Sequence, residues 1–167
     1  MKLRLDRIPS PIGTILLVSE GEKLRALDFE DHEHRLHHLL RRHYGDCTLV
    51  PANRPGAAGE SIEAYFAGDI AALDRIPVET GGTAFQRLVW SALRRIPPGT
   101  TTSYGRLAVQ IGRPTAVRAV GLANGANPVA IVVPCHRVIG ADASLTGYGG
   151  GLHRKEWLLR HEGAIVV

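Results

Sequence analysis

Residues 76–82, IPVETGG, divide the chain in two, because a proline and a glycine pair there break an otherwise regular alternation of apolar runs. The two sides follow different rules. Ahead of the break, LRLDRI, TILLVSE and LRALDFE are separated by turn residues at 9–13 and 21–23, which reads as strands joined by short turns. Leucines 36, 39 and 40 then fall at helical spacing in the charged stretch 33–43. Residues 51–59, PANRPGAAG, read as a loop, and 60–66, ESIEAYF, as a short helix ended by Gly68.

Behind the break the pattern is helical. A helix over 85–96 places Phe85, Leu88, Val89 and Leu93 on one face and is stopped by Pro97-Pro98-Gly99. Helices over 102–111 and 115–123 flank the turn Gly112-Arg113-Pro114, a spacing that suits a helix-turn-helix and equally a generic helical hairpin. Ala116, Ala119, Gly121, Ala123 and Gly125 give the second helix small side chains, from which Arg118 is the one long cation to project. Such a surface permits close approach to a flat or grooved partner.

Charge points to that partner. The net charge of +4 averages unlike halves: residues 1–83 carry 10 Lys+Arg against 13 Asp+Glu, whereas 84–167 carry 10 against 3, or +7. The basic half fits an anionic partner, nucleic acid above all. Arginine outnumbers lysine 17 to 3, which suits phosphate contacts but is also what a GC-rich genome produces. With 167 residues the chain can form one ordinary domain or two small ones, and no stretch approaches the roughly 20 apolar residues needed to cross a bilayer. We expect a soluble, cytoplasmic protein with no membrane association.

The chemistry concentrates in 127–139, NPVAIVVPCHRVI. The run 129–133 reads as a buried strand, and Pro134 ends its ladder just before Cys135. A thiol has a pKa of ~8.5, and a neighbouring histidine or cation lowers it. His136 and Arg137 are such neighbours, yet a structural buried cysteine satisfies the same residues. On an extended chain His136 would point away from Cys135 and reach it only through a bend or a bridging water. Cys47 and Cys135 are too few for a disulfide framework or a four-cysteine zinc site.

Pro134-Cys135-His136-Arg137-Val138-Ile139 resembles the active-site signature of the O6-alkylguanine-DNA alkyltransferases, the methylated-DNA–protein-cysteine methyltransferases. The likeness continues through Phe85-Gln86, Val89-Trp90, Ser103-Tyr104-Gly105, Arg118-Ala119-Val120-Gly121, Asn127-Pro128, the segment LTGYGGG at 145–151, and Lys155-Glu156-Trp157-Leu158-Leu159 ahead of Glu162. Ser10-Pro11-Ile12-Gly13 and Tyr65-Phe66-Ala67-Gly68 are similar to bacterial, stand-alone members. Nearly the whole chain is covered, in order.

The resemblance implies an α+β protein: an N-terminal ribonuclease-H-like α/β domain over 1–78 and a C-terminal helical domain over 79–167, with a winged-helix-like helix-turn-helix that binds DNA and accepts the alkyl group. It implies a suicide enzyme that moves the alkyl group from O6-alkylguanine, and less well from O4-alkylthymine, to its own Cys135, once per molecule and without a cofactor. His136 would act through water as the base, Glu162 would orient the imidazole, and Asn127 would tie the helix-turn-helix to the active-site strand; as a bare turn former before Pro128, Asn127 has a simpler reading too. Tyr104, Arg113 and Arg118 would bind double-stranded DNA in the minor groove. Arg118 would enter the stack while the damaged base is flipped. Val138, Tyr148 and Gly149 would line the guanine pocket, with Lys155 as a nearby cation. The protein would act as a monomer or as copies assembled cooperatively along DNA.

Other readings stay weaker on the residues. A binding-only relative would replace the nucleophile, a helix-turn-helix regulator would need an effector or dimerisation segment, and a Cys-His hydrolase would turn over. Five histidines lie between His32 and His43, His34 and His38 one turn apart, but they form no HExxH pattern, so a solvated helix face is expected and no metal site. Cys47 is expected to be a bystander.

Overall fold

The computed structural model describes residues 1–166. Two compact units meet in sequence at Gly81 and Gly82. In the first, β1 (Lys2–Ile8), β2 (Ile15–Glu20) and β3 (Lys23–Phe29) form an antiparallel meander, and β4 (Thr48–Pro51) adds in parallel to the free side of β1, giving the order β3-β2-β1-β4. Ile15, Leu16, Leu17 and Val18 are all buried, which explains why this stretch reads as an unbroken apolar run while β1 alternates.

Helix α1 (Glu33–Tyr44) lays Leu36 and Leu40 on Leu3, Leu5, Leu16, Val18 and Ala26. Its charged face keeps the histidines, and among the described residues no group of three or more His, Cys, Asp or Glu is placed to hold a metal ion. Arg35 grips Asp28 with two hydrogen bonds of 2.8 and 2.6 Å, fixing α1 against the end of β3.

One expectation for this unit needs correction. Residues 51–59 are not a loop throughout: helix α2 spans Ala57–Phe66. Ala57 and Ala58 are strong helix formers. Gly59, which reads as a breaker, is a point of close approach, where an added Cβ would lie 3.1 Å from Ile8 Cδ1. Strand β4 was not foreseen because four mostly exposed residues ending in proline carry no period; Pro51 is tolerated at the strand's last position on a sheet edge.

The second unit opens with α3 (Ala84–Arg94), whose start is set by a capping box: Gln86 N donates to Thr83 Oγ1 at 3.1 Å and Thr83 N to Gln86 Oε1 at 3.0 Å. The helix-turn-helix consists of α4 (Tyr104–Gln110) and α5 (Val117–Gly125). Trp90 Nε1 donates to Ala123 O at 2.8 Å and pins α3 to α5. Both helices differ from their expected ranges. Thr102 and Ser103 form a short strand, β5, and the Ser103 side chain caps α4, so the helix begins two residues late. The turn at Pro114 runs on to Ala116, whose N–H bonds Arg113 O, and α5 shifts by two residues.

The largest correction falls beside the cysteine. Val129, Ile131, Val132 and Val133 are buried, as their composition requires, but residues 129–133 form no strand. Val132 N bonds Ala130 O at 2.8 Å, Val133 N bonds Val129 O at 3.0 Å, and Ile131 holds φ at 71°, a conformation that costs a β-branched residue energy. An apolar run reports burial, and burial was satisfied here by tight turns. The chain then passes through a 3-10 turn at Cys135–Arg137 into β6 (Val138–Ile139), and ends in α6 (Leu152–His161). β6 pairs in parallel with β5, Thr102 opposite Val138 and Ser103 opposite Ile139. This two-residue ladder joins the start of the helix-turn-helix to the residues that follow the cysteine.

Candidate active site

Cys135 is the first residue of the 3-10 turn and is 8% exposed. Because the backbone here is helical and not extended, Cys135 and His136 do not take the opposite faces that a strand would impose. Asn127 braces the approach from two directions: its Nδ2 donates to Val133 O at 2.8 Å, and its Oδ1 accepts from Val129 N at 3.0 Å. Cys135 N in turn bonds Val133 O at 2.8 Å. One carbonyl thus links Asn127, two residues past the end of α5, to the cysteine backbone.

His136 is fully buried, with Nε2 2.9 Å from Glu162 Oε2. Arg137 forks the same carboxylate, Nε to Oε1 at 2.8 Å and Nη2 to Oε2 at 3.0 Å, and donates from Nη1 to Ile96 O at 2.7 Å. Burial would raise the Glu162 carboxyl, but hydrogen bonds and charges from His136 and Arg137 outweigh it and bring the pKa down to about 2. For His136 burial dominates and lowers the pKa, helped by the charges of Arg137 and Lys155 against the pull of Glu162. The pair therefore rests as neutral imidazole and carboxylate.

That charge state fixes the tautomer. An ionised carboxylate only accepts, so Nε2 carries the proton and Nδ1 is the basic nitrogen. Nδ1 is buried and has no hydrogen-bond partner among the described residues. A thiol, an imidazole next in the chain with one basic nitrogen, and a carboxylate bonded to that imidazole are the groups that a nucleophile, base and orienter set requires.

Lys155 is also fully buried and donates from Nζ to Val138 O at 2.7 Å and to Thr146 O at 3.0 Å. Burial lowers its pKa to about 8, against a smaller upward pull from the charge of Cys135. The ammonium is thus still mostly protonated at neutral pH and lies within electrostatic reach of the thiol. Tyr104, half-buried at the start of α4, shares a 2.8 Å hydrogen bond with Thr146 Oγ1. Tyr148 is half-buried and Gly149 exposed in the loop before α6. Arg113 and Arg118 are exposed, in the turn and at the second position of α5.

Two residues have partners that the sequence does not show. Arg137, read as a cation beside the thiol, is committed to the Glu162 carboxylate and Ile96 O, since nothing in periodicity announces a buried arginine. Thr146 was part of a glycine-rich loop, and only the fold brings its hydroxyl to Tyr104.

The comparisons with known proteins agree with this layout. Residues 4–80 match the ribonuclease-like domain of 6-O-methylguanine DNA methyltransferase, and residues 84–164 match its DNA binding domain. The methylated-DNA–protein-cysteine methyltransferase of Salmonella typhimurium is 49% identical over 100% of this chain and 99% of its own. Among solved structures, the O6-methylguanine methyltransferase of Mycobacterium tuberculosis is 44% identical, with a TM-score of 0.78 over 96% of this chain and 93% of its own. Mycobacterium tuberculosis OGT in complex with DNA is 43% identical, with a TM-score of 0.78 over 96% and 92%. A ribonuclease-like unit followed in the chain by a DNA-binding unit that holds a buried cysteine next to a paired histidine and glutamate defines the class. The chain belongs to the 6-O-methylguanine DNA methyltransferase family.

Proposed function

We propose that this protein reverses alkylation of guanine in DNA by moving the alkyl group from O6 to Cys135. The reading is carried by one observation: the residue that follows the cysteine is a buried histidine whose Nε2 is committed to Glu162 while Nδ1 stays basic. His136 Nδ1 takes the thiol proton through a bridging water. The thiolate attacks the alkyl carbon, the S–C bond forms as the C–O6 bond breaks, and the electron pair leaves on guanine. The guanine takes up one proton, so the balance is transfer of the alkyl group to sulfur and of the thiol proton to the base. A soft sulfur suits attack at saturated carbon, and the thioether has no easy hydrolytic exit. Each molecule therefore acts once.

The target base is stacked inside the duplex, and rotating it out costs about a few kcal/mol. Arg118 projects from an α5 face that carries no other charge, its exposed neighbours being Val117, Ala119, Leu122 and Gly125, which suits docking in a minor groove and a finger that fills the space left by the flipped nucleotide. Tyr104 and Arg113 flank it from α4 and the turn. Val138, Tyr148 and Gly149 border the base pocket, and the protonated Lys155 favours the thiolate. All of these residues belong to one unit of one chain, so a monomer suffices.

The test is a duplex carrying O6-methylguanine offered to the wild type and to Cys135→Ser. The wild type should restore guanine in amounts that stop at one equivalent, whereas the variant should bind the duplex and restore none. Full activity in the variant would remove Cys135 from the mechanism.

A further inference from the structure

Thr146 joins two parts of the site that are distant in sequence. Its carbonyl accepts from the buried Lys155 Nζ at 3.0 Å, and its Oγ1 is 2.8 Å from the Tyr104 hydroxyl. Lys155 also holds Val138 O, in the strand that follows the cysteine turn, and feels the charge of Cys135. The start of α4 is tied to that same strand by the pairing of Thr102 with Val138 and of Ser103 with Ile139. Tyr104 thus has its backbone anchored to the Val138 strand and its hydroxyl anchored to the loop before α6.

We propose that Thr146 is a positioning residue, whose hydroxyl sets where the Tyr104 hydroxyl stands beside the Cys135 pocket. This rests on the reading of Tyr104 as a contact to the damaged nucleotide. A tyrosine at the first position of a helix has a ring that can swing about χ1, and one fixed hydroxyl partner selects among its rotamers. The partner is itself immobilised, because a fully buried lysine grips the same residue through its carbonyl. Hydrogen-bonded to Thr146, the phenol is also more polarised, and so better suited to face a polar base edge.

The experiment compares rates of alkyl transfer from an O6-methylguanine duplex for the wild type, Thr146→Val, Thr146→Ser, Tyr104→Phe and the double variant Tyr104→Phe/Thr146→Val. Valine keeps the shape and the backbone carbonyl that Lys155 uses, and removes only the hydroxyl. Thr146→Val should be slower by roughly 3- to 10-fold, the worth of one hydrogen bond, and Thr146→Ser should recover most of the loss. The double variant should be no slower than Tyr104→Phe alone, a coupling that a purely structural threonine would not show. Thermal melts of each variant report folding separately. A Thr146→Val loss that persists undiminished in the Tyr104→Phe background, or no loss at all, would overturn the proposal. Tyr104→Phe at the wild-type rate would instead overturn the reading of Tyr104 on which it rests.

Discussion

Arg137 and Glu162 form a buried fork, with Nε on Oε1 at 2.8 Å and Nη2 on Oε2 at 3.0 Å. The same Oε2 receives His136 Nε2 at 2.9 Å, so one carboxylate both neutralises the guanidinium and orients the imidazole. Glu162 is the residue after α6 and Arg137 precedes β6, so the fork also closes the second unit on itself.

Removing that charge strands a buried arginine. Glu162→Gln should destabilise the protein by about 3–5 kcal/mol, the usual result of breaking a buried pair, and slow alkyl transfer because Nε2 loses its anionic acceptor. Urea unfolding and single-turnover kinetics read the two effects. A variant that melts and reacts like the wild type would show that the fork carries neither role.

Acid should weaken the fold through two groups whose pKa values are lowered in the folded state. The unfolded chain binds protons first at each, so stability is full above the unfolded value and falls as pH drops. For His136 the loss begins below its ordinary 6.5. For Glu162 it runs from 4.5 down to about 2. Urea midpoints measured from pH 7.5 to pH 3 should fall throughout, and the step below pH 4.5 should be smaller in Glu162→Gln, where Glu79 and Asp142 are still held below their ordinary values by Lys23 and Ser144. A step of undiminished size in the variant would assign it to those other carboxylates.

Arg118→Ala should separate base extrusion from chemistry. Repair in the duplex should slow by tenfold or more, about 1.4 kcal/mol of barrier per tenfold, while reaction with free O6-benzylguanine, which needs no flipping, should change much less. Equal losses on both substrates would contradict the finger role.

The sequence exposed the chemistry more fully than the path of the backbone. The order strand, turn, strand was legible in the first unit because turn residues at 9–13 and 21–23 separate the apolar runs, and the helical face of Leu36 and Leu40 because most of the rest of α1 is charged or histidine. The pairing of His136 with Glu162 was legible only through the family resemblance. What failed was the inference from apolar composition to strand at 129–133, since Val129, Ile131, Val132 and Val133 are buried by turns that include a left-handed isoleucine. The β5–β6 ladder escaped notice because two residues carry no period. The partners of Arg137 and Thr146 lie 25 and 42 residues away in sequence, and only folding brings them together.

In the proposed reaction Cys135 keeps the alkyl group, and mass spectrometry of peptides after incubation with excess O6-methylguanine duplex reads this out. One methyl group per protein is expected, on the peptide containing Cys135, with Cys47 unmodified and no further repair after one equivalent. An unmodified Cys135 after repair, or repair that continues past one equivalent, would contradict it.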